Sequence, residues 1–420
     1  MQRAVWCVCT EILVAACLTT VSPAQTPLSW QQVKDKFEAA NPTLRAGQIG
    51  IDELRSQETT AYLHPNPFVT STLDQIDPFT RNPDRYRPFA NALPFLSTSY
   101  LRERRHKREL RLESAQEGTS IGQSQYADLE RNLLFNLRSI FVQTLQAKSV
   151  LSLTIENLDY FDKQLSIARD RFNAGDISHL DLDRLELQRV QFESDYETAQ
   201  VNLRTVKIRL LMLMNDRTPV EQLDVTAPFD FSDQIAPLDD FRNIALAARP
   251  DLKATLQAID KARTDNRLAI ANGSTDPIVS FDLARNPPIP AYFGVSITIP
   301  LRIFDRNQGE KERTRLDIGR AQRLKDATQA LVFSDVESAH AMLVSTVNLL
   351  RPYKGTYLPT ATRVRDTISF AYQRGGASLV DFLDAQRNYR AVQLAYINLV
   401  GSYLTAAGQL NLAVGSEVIQ

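Results

Sequence analysis

The chain has 420 residues, 48 Lys and Arg against 49 Asp and Glu for a formal net charge of −1, and three cysteines. The length could hold two or three ordinary domains, and the balanced charge argues against a nucleic-acid protein, whose footprint is a strongly basic domain. A mean hydropathy of −0.25 and no run after residue 25 near the ~18 apolar residues of a membrane helix argue against helical spans, but leave open a membrane β-barrel, whose short alternating strands barely register in hydropathy.

Residues 1–24 have the layout of a signal peptide. A positive charge at Arg3 precedes the apolar "AVWCVCTEILVAACL", and "SPAQ" supplies small residues suited to cleavage after Ala24. Glu11 interrupts the apolar part, and a buried N-terminal helix is the plainer alternative. A second processing site competes: "VAAC", Val14 to Cys17, resembles the bacterial lipobox, in which the cysteine becomes a lipidated first residue. Either way Cys7 and Cys9 leave with the signal. The mature chain is then expected to have no disulfide, no cysteine metal site and no thiol nucleophile.

The rest of the chain, 25–420, reads as one unit written twice, over about 28–214 and 238–415. "ANPTL" (40–44) opens a helix of roughly thirty residues that ends at "HPNP" (64–67). Two strands follow, "PFVTSTL" (67–73) and "FANALPFLSTSY" (89–100), with a Pro-rich loop between them. A long helix starts near Arg102, with heptads at Leu151, Leu158, Leu165 and Phe172. It spans about 70 residues, or roughly 105 Å at 1.5 Å per residue, too long for a globule to hide. "RFNAGDIS" (171–178) turns the chain, and a returning helix repeats Leu185, Phe192, Ala199, Val206 and Leu213 every seven residues.

After an irregular connector (215–240) the pattern recurs. "ARPDL" (248–252) matches "ANPTL", "STDP" (274–277) ends its helix, and "IVSFDLA" (278–284) and "AYFGVSITIPL" (291–301) are the strands. A long helix begins near Asn307. At an offset of 200, Tyr372 meets Phe172, Gly375 meets Gly175, Ser378 meets Ser178 and Asp381 meets Asp181. The returning helix carries Ala385, Val392, Leu399, Ala406 and Ala413, with a parallel row at Phe382, Tyr389, Tyr396, Tyr403 and Leu410. A seven-residue period this long argues for coiled-coil packing.

The strands alternate. Phe293, Val295, Ile297 and Ile299 share one face, and Tyr292, Gly294, Ser296 and Thr298 the other. Thr70, Thr72, Ser280 and Asp282 extend the polar face, which suits a watery lumen. The second strand, with Asn91 and Pro94, alternates poorly. Four strands leave open edges, which lipid forbids, so a membrane sheet of this size needs partner chains. Three copies would close twelve strands, an even number in the usual range. The plainer alternative is a small sheet covered by helices.

The chain resembles the TolC-like outer membrane efflux family over roughly residues 28–415. The carriers are "LSWQQVKDKFEAANPTL", "HPNP" before the first strand, "ITIPLRIFDRNQGEKERTR" after the fourth, and above all the paired "RFNAGDIS" and "YQRGGASLVDFLDAQ". "YLRERRHKREL" is similar to the metal-efflux and multidrug branches. The resemblance implies a mainly α fold with a membrane β-barrel: a homotrimer whose twelve-stranded barrel continues into a periplasmic coiled-coil α-barrel. It implies a passive exit duct for small molecules or metal ions, in a tripartite pump or a type I secretion system. Its expected partners are a periplasmic adaptor, an inner-membrane pump and outer membrane lipid, with no cofactor.

The glycine turns would then be periplasmic tips that dock the adaptor through Gly175, Ser178, Gly375 and Ser378. Asp181, Tyr372, Asp381 and Asp384 match family positions at the closure. Asp381 and Asp384 project from one helix face, so a trimer would place six carboxylates round the aperture, favouring cations. The Tyr372 hydroxyl to Asp181 is the expected closing hydrogen bond. Ala377 departs from the family, some of whose members carry a basic residue there. The competing assignments are helix N-terminal acids for the aspartates and N-caps for the two serines.

Other functions have less support. Asp381 and Asp384 on adjacent turns of a coiled coil offer no cleft for acid–base catalysis. His64, His106, His179 and His340 lack ligand spacing. The basic "RERRHKRELR" (102–111) is interrupted by Glu103 and Glu109. A non-channel coiled-coil protein of the cell envelope is the alternative to the duct.

Overall fold

The computed structural model describes residues 27–76, 88, 89, 91–286 and 288–419. The signal peptide expected over 1–24 and the alternative lipidation site at Cys17 lie outside the described residues.

The duplicated order of elements is as the sequence predicts, with a short helix added at the start of each copy and the long helix of the second copy divided in two. The first copy holds α1 (Trp30–Ala40), α2 (Pro42–Tyr62), β1 (Phe68–Asp74), β2 (Leu93–Leu101), α3 (Lys107–Asn173) and α4 (His179–Leu213). The second holds α5 (Leu238–Ala248), α6 (Pro250–Asn272), β3 (Ile278–Asn286), β4 (Ile289–Thr298), α7 (Gln308–Pro352), α8 (Leu358–Gln373) and α9 (Leu379–Val414). The short helices α1 and α5 are the additions, and α2 and α6 have 21 and 23 residues rather than thirty. The cause is a proline in each copy. Asn41 precedes Pro42 and Arg249 precedes Pro250, and a residue before proline is steered out of the helical region. Both adopt extended backbone, with ψ of 121° and 119°.

The two copies solve that break differently. The Asn41 side chain caps α2, accepting from the amides of Thr43 and Leu44 at 2.9 and 3.1 Å. Arg249 is instead buried, and its guanidinium donates to Asp251 at 2.6 Å, to Asp335 at 2.8 Å and to the Ala413 carbonyl at 3.1 Å. That cluster ties the start of α6 to α7 and to the last turn of α9.

Helix α3 runs unbroken for 67 residues, about 100 Å. Its counterpart has segments of 45, 5 and 16 residues, because a π-turn over Tyr353–Tyr357 separates α7 from α8. The turn follows Pro352, which has no N–H for the preceding turn and whose ring crowds the carbonyl four residues back. Buried Leu185, Phe192, Ala199, Phe382, Tyr389, Tyr403 and Leu410 bear out the heptads.

The strands form one antiparallel sheet in the order β1-β2-β3-β4. Its central pair, β2 and β3, is far apart in sequence, with Leu96 opposite Leu283 and Ser97 opposite Asp282. Residues directly opposite share a face, so register sorts the sheet. Leu96, Phe281, Leu283, Phe293, Val295 and Ile297 lie on one side, and Ser97, Ser99, Ser280, Asp282, Ser296 and Thr298 on the other. The Ser97 hydroxyl donates to Asp282 at 2.6 Å across the polar side. The apolar side is bare: Phe293, Val295 and Ile297 are 68, 59 and 64 % exposed. No helix covers it, against the small covered sheet. β2 begins at Leu93, after Asn91; its burial alternates from there, but Leu93, Phe95 and Leu101 share the side of Ser97 and Ser99, so its residue types alternate poorly, as expected. Its neighbours β1 and β4 each pair on one side only.

Candidate functional site

The two glycine turns are built alike. α3 ends on a left-handed Gly175 (φ 84°), with the Asp176 amide donating to the Arg171 carbonyl at 2.8 Å and the Gly175 amide to Phe172 at 2.9 Å. α8 ends on Gly375 (φ 77°), with Gly376 donating to Ala371 at 2.8 Å and Gly375 to Tyr372 at 3.1 Å. This is the Schellman arrangement, in which the residue after the cap takes positive φ and is usually glycine. Ser178 and Ser378 then start the returning helices. Each hydroxyl accepts from an amide three residues on, that of Asp181 or Asp381, at 3.1 Å.

Both turns come to one end of the molecule. Arg171, Asp176, Ser178, Asp181, Tyr372 and Ser378 help line a shared cleft of about 410 Å³. Behind it, α3, α4, α8 and α9 meet in an aromatic core. Phe161 stacks on Phe192 at 4.5 Å between centroids, and Tyr372 on Phe382 at 4.9 Å.

The hydrogen bond expected from Tyr372 to Asp181 is not made. The Tyr372 hydroxyl is buried and has no partner among the described residues. The Phe382 stack holds the ring inside, and the Arg171 guanidinium sits 5.6 Å from its centroid. Burial pushes the phenol's pKa up; Arg171 opposes this, and the Asp181 charge adds to it. Asp181 has local partners instead: the Ser178 hydroxyl donates to it at 2.9 Å, and Arg184 lies 3.9 Å away.

The expected aspartate pair also differs from two free carboxylates. Asp381 closes a capping box, accepting from the Ser378 hydroxyl at 2.7 Å and the Ser378 amide at 3.2 Å. Those bonds hold its pKa below the ordinary carboxylate value. Asp384 forms an ion pair with Arg387, one turn on. The serines and Asp381 therefore have the capping geometry weighed for them above, and Arg184 and Arg387 sit beside the acids.

Arg171 is the tip residue that sequence reading missed. It donates to the Tyr372 carbonyl at 2.9 Å, joining the two coiled coils at the wall of the cleft. Its only signal was a difference between the repeats, since Ala371 occupies its place in copy two. Further from the tip, Tyr160 donates to Ser369 at 2.7 Å, and Arg390 pairs with Asp195.

A model of the outer membrane efflux protein family matches residues 283–416, from the end of β3 to the end of α9. The cobalt-zinc-cadmium resistance protein CzcC of Cupriavidus metallidurans is 22% identical over 406 residues, covering 93% of this chain and 91% of its own. Solved channels share the whole architecture. CusC superposes with a TM-score of 0.77 at 15% identity over 92% of both chains. The Campylobacter jejuni CmeC outer membrane channel gives 0.74 at 14% identity, over 93% of this chain and 87% of its own.

The chain is similar to outer membrane efflux proteins.

The fold is thus the one shared by CusC and the CmeC outer membrane channel. The family is one of channels rather than enzymes. Among the described residues no helix is long and apolar enough to cross a membrane.

Proposed function

We propose that this protein is the outer membrane exit duct of a tripartite efflux system, a homotrimer working with a periplasmic adaptor and an inner-membrane pump. The observation that carries this reading is the sheet: an apolar face left bare, a polar face opposite it, and one unpaired edge on each of β1 and β4. Lipid would satisfy the face, and strands from two further copies would satisfy the edges. Twelve strands would then enclose the polar side as a pore, continued by the helices through the periplasm. The relatives' names differ in cargo, cobalt-zinc-cadmium in one and pyoverdine in another. A generic duct, with selection made by the pump, fits both.

The tips are the proposed adaptor contact, through the exposed turns at Gly175, Ser178, Gly375 and Ser378. The proposed gate is the cleft between them. Asp381 and Asp384 would ring the aperture, with Arg387 moderating the charge of Asp384. Arg171 supports closure from within one chain, in the place where Tyr372 and Asp181 were expected to act.

The test is the mass of the native particle extracted from isolated outer membranes. A trimer that needs detergent to leave the membrane is expected. A monomer released by buffer alone would overturn the reading in favour of an envelope coiled-coil protein.

A further inference from the structure

The end of the sheet that joins the helices carries a feature that channel formation does not use. Both crossings from strand to long helix meet there. After β2, the Arg102 amide donates to the Pro277 carbonyl at 3.0 Å and the Arg104 amide to Asp276 at 2.9 Å. After β4, the Asn307 side chain donates to the Ala269 carbonyl at 2.8 Å. The segments 102–107 and 301–307 therefore both pack on the stretch 269–277 that leads into β3.

Their charges divide into two sets. Lys107, Arg108 and Arg111 are paired with Asp276, Glu109 and Glu103. Arg102, Arg104, Arg105 and Arg306 are exposed, and among the described residues none has a carboxylate partner. Directly beside them the bare apolar face of β4 runs on past its last paired residue. Leu301, Ile303 and Phe304 are 79, 60 and 90 % exposed. Large exposed apolar side chains grouped in this way mark an interaction surface.

Unpaired cations next to exposed apolar side chains, at the rim of a lipid-facing sheet, have the chemistry of a headgroup boundary. We propose that this rim binds anionic phospholipid of the periplasmic leaflet. The lipid phosphates accept from Arg102, Arg104, Arg105 and Arg306, while Leu301, Ile303 and Phe304 enter the acyl layer. The inference rests on the barrel reading above. It adds that the membrane contact selects for headgroup charge, which an apolar band alone does not do.

The full chain, extracted in mild detergent, is mixed with equal amounts of phosphatidylglycerol and the zwitterionic phosphatidylethanolamine, and retained lipid is read by native mass spectrometry. Phosphatidylglycerol should be retained over its competitor by about tenfold or more, with the preference shrinking as salt is added. The combined variant R102Q/R104Q/R105Q/R306Q should bring the ratio near one with the oligomer mass unchanged. Its all-lysine counterpart should keep the preference, which separates charge from misfolding. Equal retention by the natural chain, or a preference that survives the glutamine variant, overturns the proposal. L301S/F304S should weaken retention of both lipids. If it splits the oligomer instead, those side chains belong to the contact between copies and the acyl part of the proposal falls. Insertion into vesicles of either lipid separates the two readings. A chain that enters neither overturns the barrel and this inference together, whereas one that enters both with equal retention overturns this inference alone.

Discussion

Tyr372 shows how burial and partnering separate at one side chain. Its ring is 8 % exposed and stacked, yet its hydroxyl is buried without a partner. A buried polar group with no partner costs stability, and removing it can be neutral or favourable. Tyr372→Phe should therefore leave the thermal midpoint of the purified protein unchanged or raise it; a marked fall would mean the hydroxyl has a partner in the assembled channel. Arg171→Ala should lower stability by about 1–3 kcal/mol, because a charged donor to the Tyr372 carbonyl is lost. Asp381 adds a pH dependence. Its folded pKa is depressed by the Ser378 hydroxyl and amide, so its contribution is full above the ordinary carboxylate pKa and is lost as pH falls through the lower folded value. Ser378→Ala removes the largest cause, so the acid limb of a stability–pH curve should flatten; an unchanged limb would count against the cap.

At the scale of elements, the two proline breaks are the instructive pair. Pro42 and Pro250 end the preceding helices in the same way, but Asn41 caps α2 and donates one neutral bond to the Leu213 carbonyl at 3.2 Å, whereas Arg249 makes a charged tie to α7 and α9. Burial opposes the charge on Arg249, yet its bonds to Asp251 and Asp335 leave its pKa above the ordinary value. Cutting one side of such a cluster strands the other: Arg249→Ala should cost roughly 3–5 kcal/mol, read from chemical unfolding, with Asn41→Ala nearer 1 kcal/mol. Similar losses at both positions would mean that the tie to α9 contributes little. The π-turn marks a second asymmetry. Lys354 and Arg351 pair there with Asp230 and Asp233 of the connector at 2.7 and 3.2 Å, so this long helix is strapped where it is interrupted.

At the scale of the whole molecule, the sheet's two faces make opposite demands. Ile297 lies on the apolar face opposite Val279, and Ser296 on the polar face opposite Ser280. A basic side chain toward lipid costs up to about 2–4 kcal/mol at the bilayer midplane and an acidic one less, whereas lumen substitutions change selectivity. Ile297→Asp should sharply reduce the trimer recovered from outer membranes, while Ser296→Asp should be recovered normally. Equal recovery would remove the assignment of faces. The long helices below need no such membrane. Their cores are distributed, one cluster at the tips, two around the level of α1 and α5 and a small one between α6 and α7, so each length of coiled coil is held by its own buried layer.

The sequence by itself determined what repeats and what has a period. The 200-residue offset, the heptads from Leu185 and Ala385, the alternation from Phe293 to Ile299 and the glycine turns are properties of neighbours in the chain, and each reappears in the structure. The start of α2 was legible too, since "ANPTL" opens that helix and a residue before proline is steered out of the preceding one for local steric reasons; the short α1 before it was not read. The ion pairs Asp181–Arg184 and Asp384–Arg387 were also within reach at a spacing of three. Only the tertiary structure decided the rest. It placed β2 beside β3, moved the Tyr372 hydroxyl away from Asp181, and brought Arg171 to a carbonyl 201 residues away. Those contacts join segments that carry no mark of one another, because which face of a 100 Å helix meets which partner is set by packing along its whole length.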